Sequence, residues 1–249
     1  MEKNNAIDLN CDLGEGYPND REIFPLISSA NIACKGHAGD RKSIQTSLEF
    51  CKIYNVAAGA HPSYPDPNNF GRRTMQMDRR TLQDSIRIQL DLFSGIAAKK
   101  DIPFHHIKFH GALYNDSSVN IELAAQVLEV LVEYDTPFIY GLSGSLFNHL
   151  AEAQGFKVID EVFADRAYLP DGQLAPRSMP GSVLVDEKKI NEQLISILTL
   201  NEARCINGEK IKMKVGTVCL HGDTPGAGEF IKDIRKLIKN LNLSISYPI

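Results

Sequence analysis

The sequence lacks several features that would mark a membrane-bound, secreted or nucleic-acid-binding protein. No apolar segment reaches the roughly 18 residues that a membrane-spanning helix needs, so we expect no membrane partner. The five cysteines include no CxxC pair and follow no secretory leader, which predicts free thiols in a cytoplasmic protein. The formal net charge of −4 and the absence of a basic block predict no nucleic-acid partner.

Three common catalytic motifs are missing as well. Because GxxxxGK(S/T) is absent, any nucleotide used in the reaction is not bound by this chain through a P-loop. The absence of GxSxG argues against a serine hydrolase. The absence of HExxH or a similarly dense spacing leaves a metal site neither predicted nor excluded.

Length and element order indicate the fold class. A chain of 249 residues with 43% hydrophobic and 23% charged residues suits a core-forming protein, and we expect residues 1–249 to form a single domain. Predicted strands alternate with predicted helices about seven times, which is typical of a parallel α/β architecture. In an α/β barrel the carboxyl ends of all strands meet on one face, where active sites lie.

The segment 107–115, read IKFHGALYN, carries an unusual predicted strand. Strand alternation places His106, Lys108 and His110 on one face and two large apolar residues on the other. A lysine that points into a barrel is costly unless carboxylates lie nearby. After the strand we expect a turn at Gly111, with helix caps at 115–118. A solvated surface strand is the alternative, and the remaining strands argue against it.

Polar residues recur just after the other predicted strands. The first strand, near 6–13, has Asp8, Asn10 and Asp12 on one face. The residues that follow strands are Asp12, His37, His61, His110, Asp165 and His221. Four of the seven histidines thus follow four separate strands, which is difficult to explain unless the strand ends share a polar site.

Two loops and one possible cap complete the candidate residues. Arg72 and Arg73 follow a turn and suit a carboxylate or phosphate partner. The segment 169–181 is the longest helix-free region, and its length is typical of a lid or binding loop. Asp40 is well placed to cap the predicted helix 41–54, and a capping role alone would account for it.

The residues by themselves leave the chemistry open. A set of histidines and carboxylates can bind a divalent metal that activates water. It can also carry out metal-free acid–base catalysis, with Lys108 or an arginine stabilising a developing oxyanion.

Seven segments carry a resemblance to one known family. In chain order they are DLNCDLGEG at 8–16, HAGD at 37–40, GAHPSYPD at 59–66, FGRR at 70–73, HGALYN at 110–115, EVFADRAY at 161–168 and HGDTP at 221–225. They cover nearly the whole chain and closely resemble the LamB/YcsF family, which supplies one of the subunits, the A subunit, of the bacterial ATP-dependent 5-oxoprolinase. Each motif alone is weak, but seven in family order are specific.

The resemblance implies a fold and an activity. The fold would be the irregular (β/α) barrel of the glycoside hydrolase/polysaccharide deacetylase type, with about seven parallel strands. The activity would be opening of the 5-oxo-L-proline lactam to L-glutamate, coupled to ATP hydrolysis to ADP and phosphate. The family works with B and C partner subunits, which agrees with the missing P-loop. The alternatives are a stand-alone metal-dependent deacetylase or amidohydrolase, and a non-catalytic binding subunit.

Roles are assigned on physical grounds within this resemblance. We predict that Asp12, His61 or His110 supplies the base that activates water and that Lys108 stabilises oxyanion charge. The predicted substrate-binding residues are Asn10, Glu15, His37, Asp40, Arg72, Arg73, Tyr114, Asp165, Arg166, His221 and Asp223. A divalent metal, if the site uses one, would be bound by Asp12, His61 and His110.

The chain departs from the family pattern at two places. The family usually reads CGFH where this chain has Cys34-Lys35-Gly36-His37, and KPH where this chain has Lys108-Phe109-His110. The second change frees the backbone before His110, because proline would fix φ there. Neither change removes a titratable residue.

Overall fold

The computed structural model describes residues 6–135, 138–222 and 226–249. Asp223, predicted to bind substrate, lies outside the described residues. The strands are β1 (Ala6–Leu13), β2 (Ser29–Ala33), β3 (Ala57–His61), β4 (His106–Lys108), β5 (Phe138–Leu142), β6 (Val158–Phe163), β7 (Glu202–Arg204), β8 (Lys210–Lys212), β9 (Thr217–Cys219) and β10 (Ser244–Ile245). The helices are α1 (Asp20–Ile23), α2 (Arg41–Tyr54), α3 (Arg79–Lys99), α4 (Gly111–Val119), α5 (Ile121–Leu131), α6 (Leu146–Ala153), α7 (Glu187–Leu200) and α8 (Ala227–Asn240).

Seven parallel strands close into a barrel. β1 to β6 pair in chain order, β6 pairs with β9, and β9 pairs with β1. Closure leaves these strands without a free edge. β10 pairs in parallel with the first residues of β1, while β7 and β8 form a separate antiparallel pair. The predicted (β/α) barrel of about seven parallel strands is confirmed.

The helices follow from local signals that the sequence displays. Asp40 accepts a hydrogen bond from the Ser43 backbone N–H and caps α2, and Asp78 caps α3 in the same way through Thr81. The apolar stripe of α3, which includes Leu82, is buried in the core around the barrel. Within the part of the chain that the structure describes, no helix is both long and apolar enough to cross a membrane.

Two segments differ from the sequence prediction. α4 begins at Gly111, immediately after His110, rather than after caps at 115–118. The sequence also predicts one strand at 212–220, but in the structure β8 ends at Lys212 and β9 begins only at Thr217. The division arises because the Lys214 backbone N–H donates to Ser143 Oγ and the Gly216 N–H donates to the Asp160 carbonyl, so this stretch follows a loop and not one continuous strand.

The end of the barrel away from the site is filled by a polar layer. Asp8 accepts hydrogen bonds from Ser28, Ser29 and Thr217, and burial raises the pKa of Asp8. The ring of His106 stacks on Tyr140 with centroids 4.0 Å apart. This packed layer closes the barrel interior from below and leaves the carboxyl ends of the strands as the open end.

Gly59 leaves the space that the His106 ring occupies. A Cβ at position 59 would overlap this ring, because His106 lies directly against the glycine. We expect Gly59→Ala to lower the free energy of unfolding by about 1–3 kcal/mol, since overpacking forces a shift in the barrel. Gly95→Ala, at an exposed position of α3 with nothing in the way of a Cβ, should instead stabilise by about 0.5–1 kcal/mol. Urea unfolding of both variants measures the difference, and equal stabilities would contradict this account of Gly59.

Candidate active site

Lys108 lies at the centre of the site, inside the barrel and only 2% exposed. Its Nζ is 2.9 Å from Asp12 Oδ1 and 2.8 Å from Glu161 Oε1. Burial alone would lower the pKa of Lys108, but the Asp12 and Glu161 carboxylates raise it well above the ordinary lysine value. Lys108 is therefore a fixed buried cation, shared between two carboxylates.

Asp12 connects Lys108 to the histidines. Its Oδ1 accepts hydrogen bonds from Lys108 and from Asn31 Nδ2, and its Oδ2 lies 3.3 Å from His61 Nε2. Burial would raise the pKa of Asp12, but His61 and Lys108 outweigh burial and hold this pKa well below the ordinary value. Asp12 is thus a carboxylate with one oxygen directed at His61.

His61 and His110 face each other through the ring nitrogens that do not contact a backbone carbonyl. His61 Nδ1 lies 2.8 Å from the Lys108 carbonyl oxygen, and His110 Nε2 lies 2.9 Å from the Phe70 carbonyl oxygen. A carbonyl only accepts, so each of these nitrogens must carry the ring proton. In neutral rings, His61 Nε2 and His110 Nδ1 are then both lone pairs, and they lie 3.0 Å apart.

Glu15 and His37 extend this cluster. Glu15 Oε1 lies 3.0 Å from His37 Nε2 and 3.4 Å from His110 Nδ1. The rings of His37 and His110 stack in parallel with centroids 3.6 Å apart. Burial is the main cause that lowers the pKa values of both histidines well below the ordinary value, and each also lies close to other histidines. Glu15, His37, His61 and His110 place one donor atom each within 4.8 Å of one another.

A cavity of about 500 Å³ opens onto this network. The four predicted catalytic residues, Asp12, His61, Lys108 and His110, all line it. The loop 169–181 contributes part of the wall, including Gln173, Leu174 and Arg177. The predicted binding loop therefore borders the predicted catalytic residues.

Three arginines line the same cavity: Arg72, Arg166 and Arg177. Arg72 lies over the Phe70 ring, 4.8 Å from its centroid. Arg166 is buried, donates to the Ser182 and Ala175 carbonyls, and so holds the loop in place. Burial, together with the nearby Arg177, lowers the pKa of Arg166 to about 10. This concentration of positive charge suits an anionic ligand.

Tyr114 and His221 also line the cavity, and each is oriented by a carboxylate. The Tyr114 hydroxyl donates to Glu161 Oε2 at 2.7 Å. His221 Nδ1 lies 3.0 Å from Asp165 Oδ1. Asn10, another predicted binding residue, is fully buried and donates to Glu161 Oε1 at 2.9 Å. These contacts place Asn10 and Asp165 behind the residues that face the cavity.

Two predicted binding residues lie elsewhere. Asp40 is exposed at the start of α2, where its capping bonds account for it. Arg73 is exposed, and the cavity wall is formed by its neighbour Arg72. The adjacent arginines thus separate into one that faces the site and one that faces solvent.

The sequence prediction did not single out Glu161, Asn31 or Arg177. Glu161 is fully buried and forms the second ion pair of Lys108. The sequence did contain a signal for Glu161, because a buried lysine requires carboxylates nearby and Glu161 opens the segment EVFADRAY at 161–168. Asn31 has no comparable signal, since its contacts with Asn10 and Asp12 come from neighbouring strands in the barrel.

The departures from the family pattern leave the cluster intact. Gly36 lies against Gln89 and Ser63, where a Cβ would overlap their side chains. Lys35 is exposed with φ of 81°. Phe109 is buried and packs on Phe147 with ring centroids 5.7 Å apart, facing away from the Lys108 side chain into the surrounding core.

We expect stability to fall on mild acidification because of His37 and His110. Their pKa values are lowered in the folded state, so the unfolded chain binds protons first as the pH falls below the unfolded histidine pKa of about 6.5. Stability is therefore full above that pH and decreases below it, by about 1 kcal/mol for each histidine at pH 5.5. Urea unfolding at pH 7.5 and 5.5 in a chelating buffer measures the change. His37→Asn should reduce it and the exposed control His149→Asn should not; an unchanged pH dependence in His37→Asn would contradict this assignment.

Comparisons with known proteins agree with this architecture. The sequence matches the LamB/YcsF family over residues 7–248. It is 41% identical over 245 residues to the A subunit of 5-oxoprolinase from Pyrococcus abyssi (strain GE5 / Orsay), covering 96% of each chain. It is 37% identical over 241 residues to the protein of the same name from Haemophilus influenzae (strain PittEE), covering 96% of this chain and 98% of that one.

A solved structure is similar along the same length. The lactam utilization protein from Thermus thermophilus superimposes with a TM-score of 0.88 and 33% sequence identity, covering 98% of this chain and 100% of that chain. The family match, the relatives and the shared fold all extend over nearly the entire sequence. The chain therefore belongs to the LamB/YcsF family.

Proposed function

We propose that this chain is the A component of an ATP-dependent 5-oxoprolinase, which opens 5-oxo-L-proline to L-glutamate. The relatives that carry the 5-oxoprolinase name and the lactam utilization protein support this substrate. The observation that carries the proposal is the buried Lys108, fixed beside Asp12, His61 and His110 at the wall of one cavity. This arrangement supplies both a cation for developing oxygen charge and acceptors for the proton of a water molecule.

The chemistry explains why ATP and partner subunits are required. A five-membered lactam resists hydrolysis because resonance stabilises its amide, and phosphorylation of the amide oxygen makes the ring carbon open to water. This sequence has no P-loop, so we assign ATP hydrolysis to ADP and phosphate to the assembled complex with B and C subunits. One water then adds to the ring carbon, and the C–N bond breaks as the ring nitrogen takes up a proton and becomes the amine of glutamate. A second water cleaves the acyl phosphate that remains, which gives the glutamate carboxylate and inorganic phosphate.

The base comes from the Asp12–His61–His110 set. Three acceptor positions converge there: Asp12 Oδ2, the His61 Nε2 lone pair and the His110 Nδ1 lone pair. A proton taken from water at this place is stabilised by the carboxylate, while the carbonyl partners of His61 and His110 fix both rings. The nearby Lys108 ammonium offsets negative charge that develops on the substrate oxygen.

The arginines and the loop hold the substrate. Arg72 and Arg177 present positive charge at the cavity, and we assign them the carboxylate or the transferred phosphate. Tyr114 and His221 complete the polar lining. Glu15, His37, Asn10 and Asp165 act by orienting these groups.

The cellular setting follows from the same proposal. The five cysteines are buried and unpaired, which suits the reducing cytoplasm. The family match over residues 7–248 supports a single functional domain.

The direct test is glutamate release from 5-oxoproline and ATP by the matching B and C subunits, with and without this chain. Glutamate that forms only with all three chains present is the expected result. Partners that hydrolyse ATP while this chain adds no glutamate would contradict the lactam assignment. Release of acetate from acetylated sugars by this chain alone would favour the deacetylase alternative. Full activity of a complex containing Asp12→Asn would favour a non-catalytic binding role.

A further inference from the structure

We infer that the histidine cluster is a binding site for one divalent transition-metal ion, with His61 Nε2, His110 Nδ1, Glu15 and Asp12 as its ligands. The inference rests on the proposed function for its role in catalysis, but the site itself is argued from geometry. Atoms that hold an ion no longer accept a proton, so with the ion bound the water would be activated at the ion and not by these side chains. The sequence analysis named Asp12, His61 and His110 as possible metal ligands, and the inference adds Glu15 to them. His37, which was predicted to bind substrate, is assigned the orientation of Glu15.

The first argument is the placement of lone pairs. In its neutral form each ring commits its only proton to a backbone carbonyl, that of Lys108 for His61 and that of Phe70 for His110. With both rings neutral, the two remaining nitrogens face each other at 3.0 Å with no hydrogen between them. Two buried lone pairs this close repel each other unless a cation lies beside both.

The second argument is the spacing of the donor atoms. Ligands about 2.1 Å from a metal lie about 3.0–3.4 Å from one another in octahedral or tetrahedral geometry. The observed separations are 3.0 Å between the two nitrogens, 3.3 Å from Asp12 Oδ2 to His61 Nε2, and 3.4 Å from Glu15 Oε1 to His110 Nδ1. All three distances match adjacent positions on one ion.

The third argument is charge. The Asp12 and Glu161 carboxylates share the single ammonium of Lys108, which leaves negative charge next to the histidines. The Glu15 side chain, 3% exposed, adds another carboxylate at the cluster.

His37 orients a ligand and does not bind the ion itself. Its ring is parallel to that of His110 at 3.6 Å, so the in-plane lone pairs of the two rings cannot point at one ion between them. Its Nε2 lies 3.0 Å from Glu15 Oε1, which is the geometry of a hydrogen bond that fixes a ligating carboxylate. Imidazole and carboxylate donors suit Zn²⁺, Mn²⁺ or Co²⁺, ions that lower the pKa of water and polarise a carbonyl.

The experiment uses the full-length chain, stripped with a chelator and titrated with Co²⁺ or Zn²⁺. We expect one equivalent of ion to remain after desalting, a visible Co²⁺ absorption band and an increase in melting temperature. Glu15→Gln and His110→Asn should bind the ion at least roughly 100-fold more weakly, while the exposed His149→Asn should bind it like the parent. Glu15→Gln preserves side-chain shape, so it keeps the test valid if His110→Asn fails to fold.

The outcomes separate this inference from the proposed function. A folded parent chain that binds no ion, or variants that bind it as tightly as the parent, would overturn the metal site. The complex can be treated with a chelator and then incubated again with metal. If neither form holds an ion and both release glutamate equally, the metal site is refuted while the proposed function stands. A stoichiometric ion in a complex that releases no glutamate would confirm the site and refute the function.

Discussion

Lys108→Met is expected to lower the free energy of unfolding by about 3–5 kcal/mol and to abolish glutamate release. Methionine approximates the shape of the lysine stem but removes the charge that lies 2.9 Å from Asp12 and 2.8 Å from Glu161. The loss leaves two buried carboxylates facing each other without a cation, and such broken ion pairs are among the most destabilising changes in a core. Urea unfolding of the isolated chain measures the first effect.

A second substitution tests the cause of this loss. Lys108→Met combined with Glu161→Gln should recover part of the stability, because one of the uncompensated carboxylates is then neutral. The exposed Lys99→Met is the matched control and should change stability by less than about 0.5 kcal/mol. If the double variant is no more stable than Lys108→Met alone, charge is not the reason for the loss.

Asp12→Asn is expected to reduce the rate of glutamate formation by about 10²–10⁴-fold and to lower stability less than Lys108→Met does, because Glu161 still pairs with Lys108. The asparagine oxygen can keep the hydrogen bonds from Lys108 and Asn31, so the barrel contacts persist. The amide nitrogen then replaces Oδ2 and donates to the His61 Nε2 lone pair, 3.3 Å away in the parent. The substitution thereby removes Asp12 Oδ2 as a proton acceptor and blocks the His61 Nε2 lone pair with a hydrogen bond.

Steady-state kinetics of the assembled complex provide the measurement. A fall in kcat with little change in KM would place Asp12 in the chemical step. Asp78→Asn serves as the control, because Asp78 caps α3 at an exposed position and asparagine caps equally well. Activity within a few-fold of the parent for Asp12→Asn would remove Asp12 from the catalytic set.

Much of the fold was readable from local pattern. The alternation of strands with capped amphipathic helices is a property of neighbouring residues, so α2 and its Asp40 cap were predicted. Segments whose conformation depends on distant contacts were not predicted correctly. The division of the predicted strand at 212–220 depends on Ser143 and Asp160, which lie far away in the chain.

The site divides in a similar way. Strand periodicity and motif order indicated that Asp12, His61, Lys108 and His110 would meet, because parallel strands present their carboxyl ends on one face. That Asp40 serves as a cap outside the cavity, and that Arg72 faces the cavity while Arg73 faces solvent, depended on how each loop packs.

Residue types and their order in the chain thus established the barrel, the family and the membership of a polar cluster. The protonated nitrogens and the ion-pair partners within the cluster could be assigned only from the folded structure. The lone pairs of His61 and His110 are assigned by two backbone carbonyls, and the charge of Lys108 is balanced by carboxylates on β1 and β6. Such contacts join strands far apart in sequence, and the energy of a buried charge depends on all its neighbours at once.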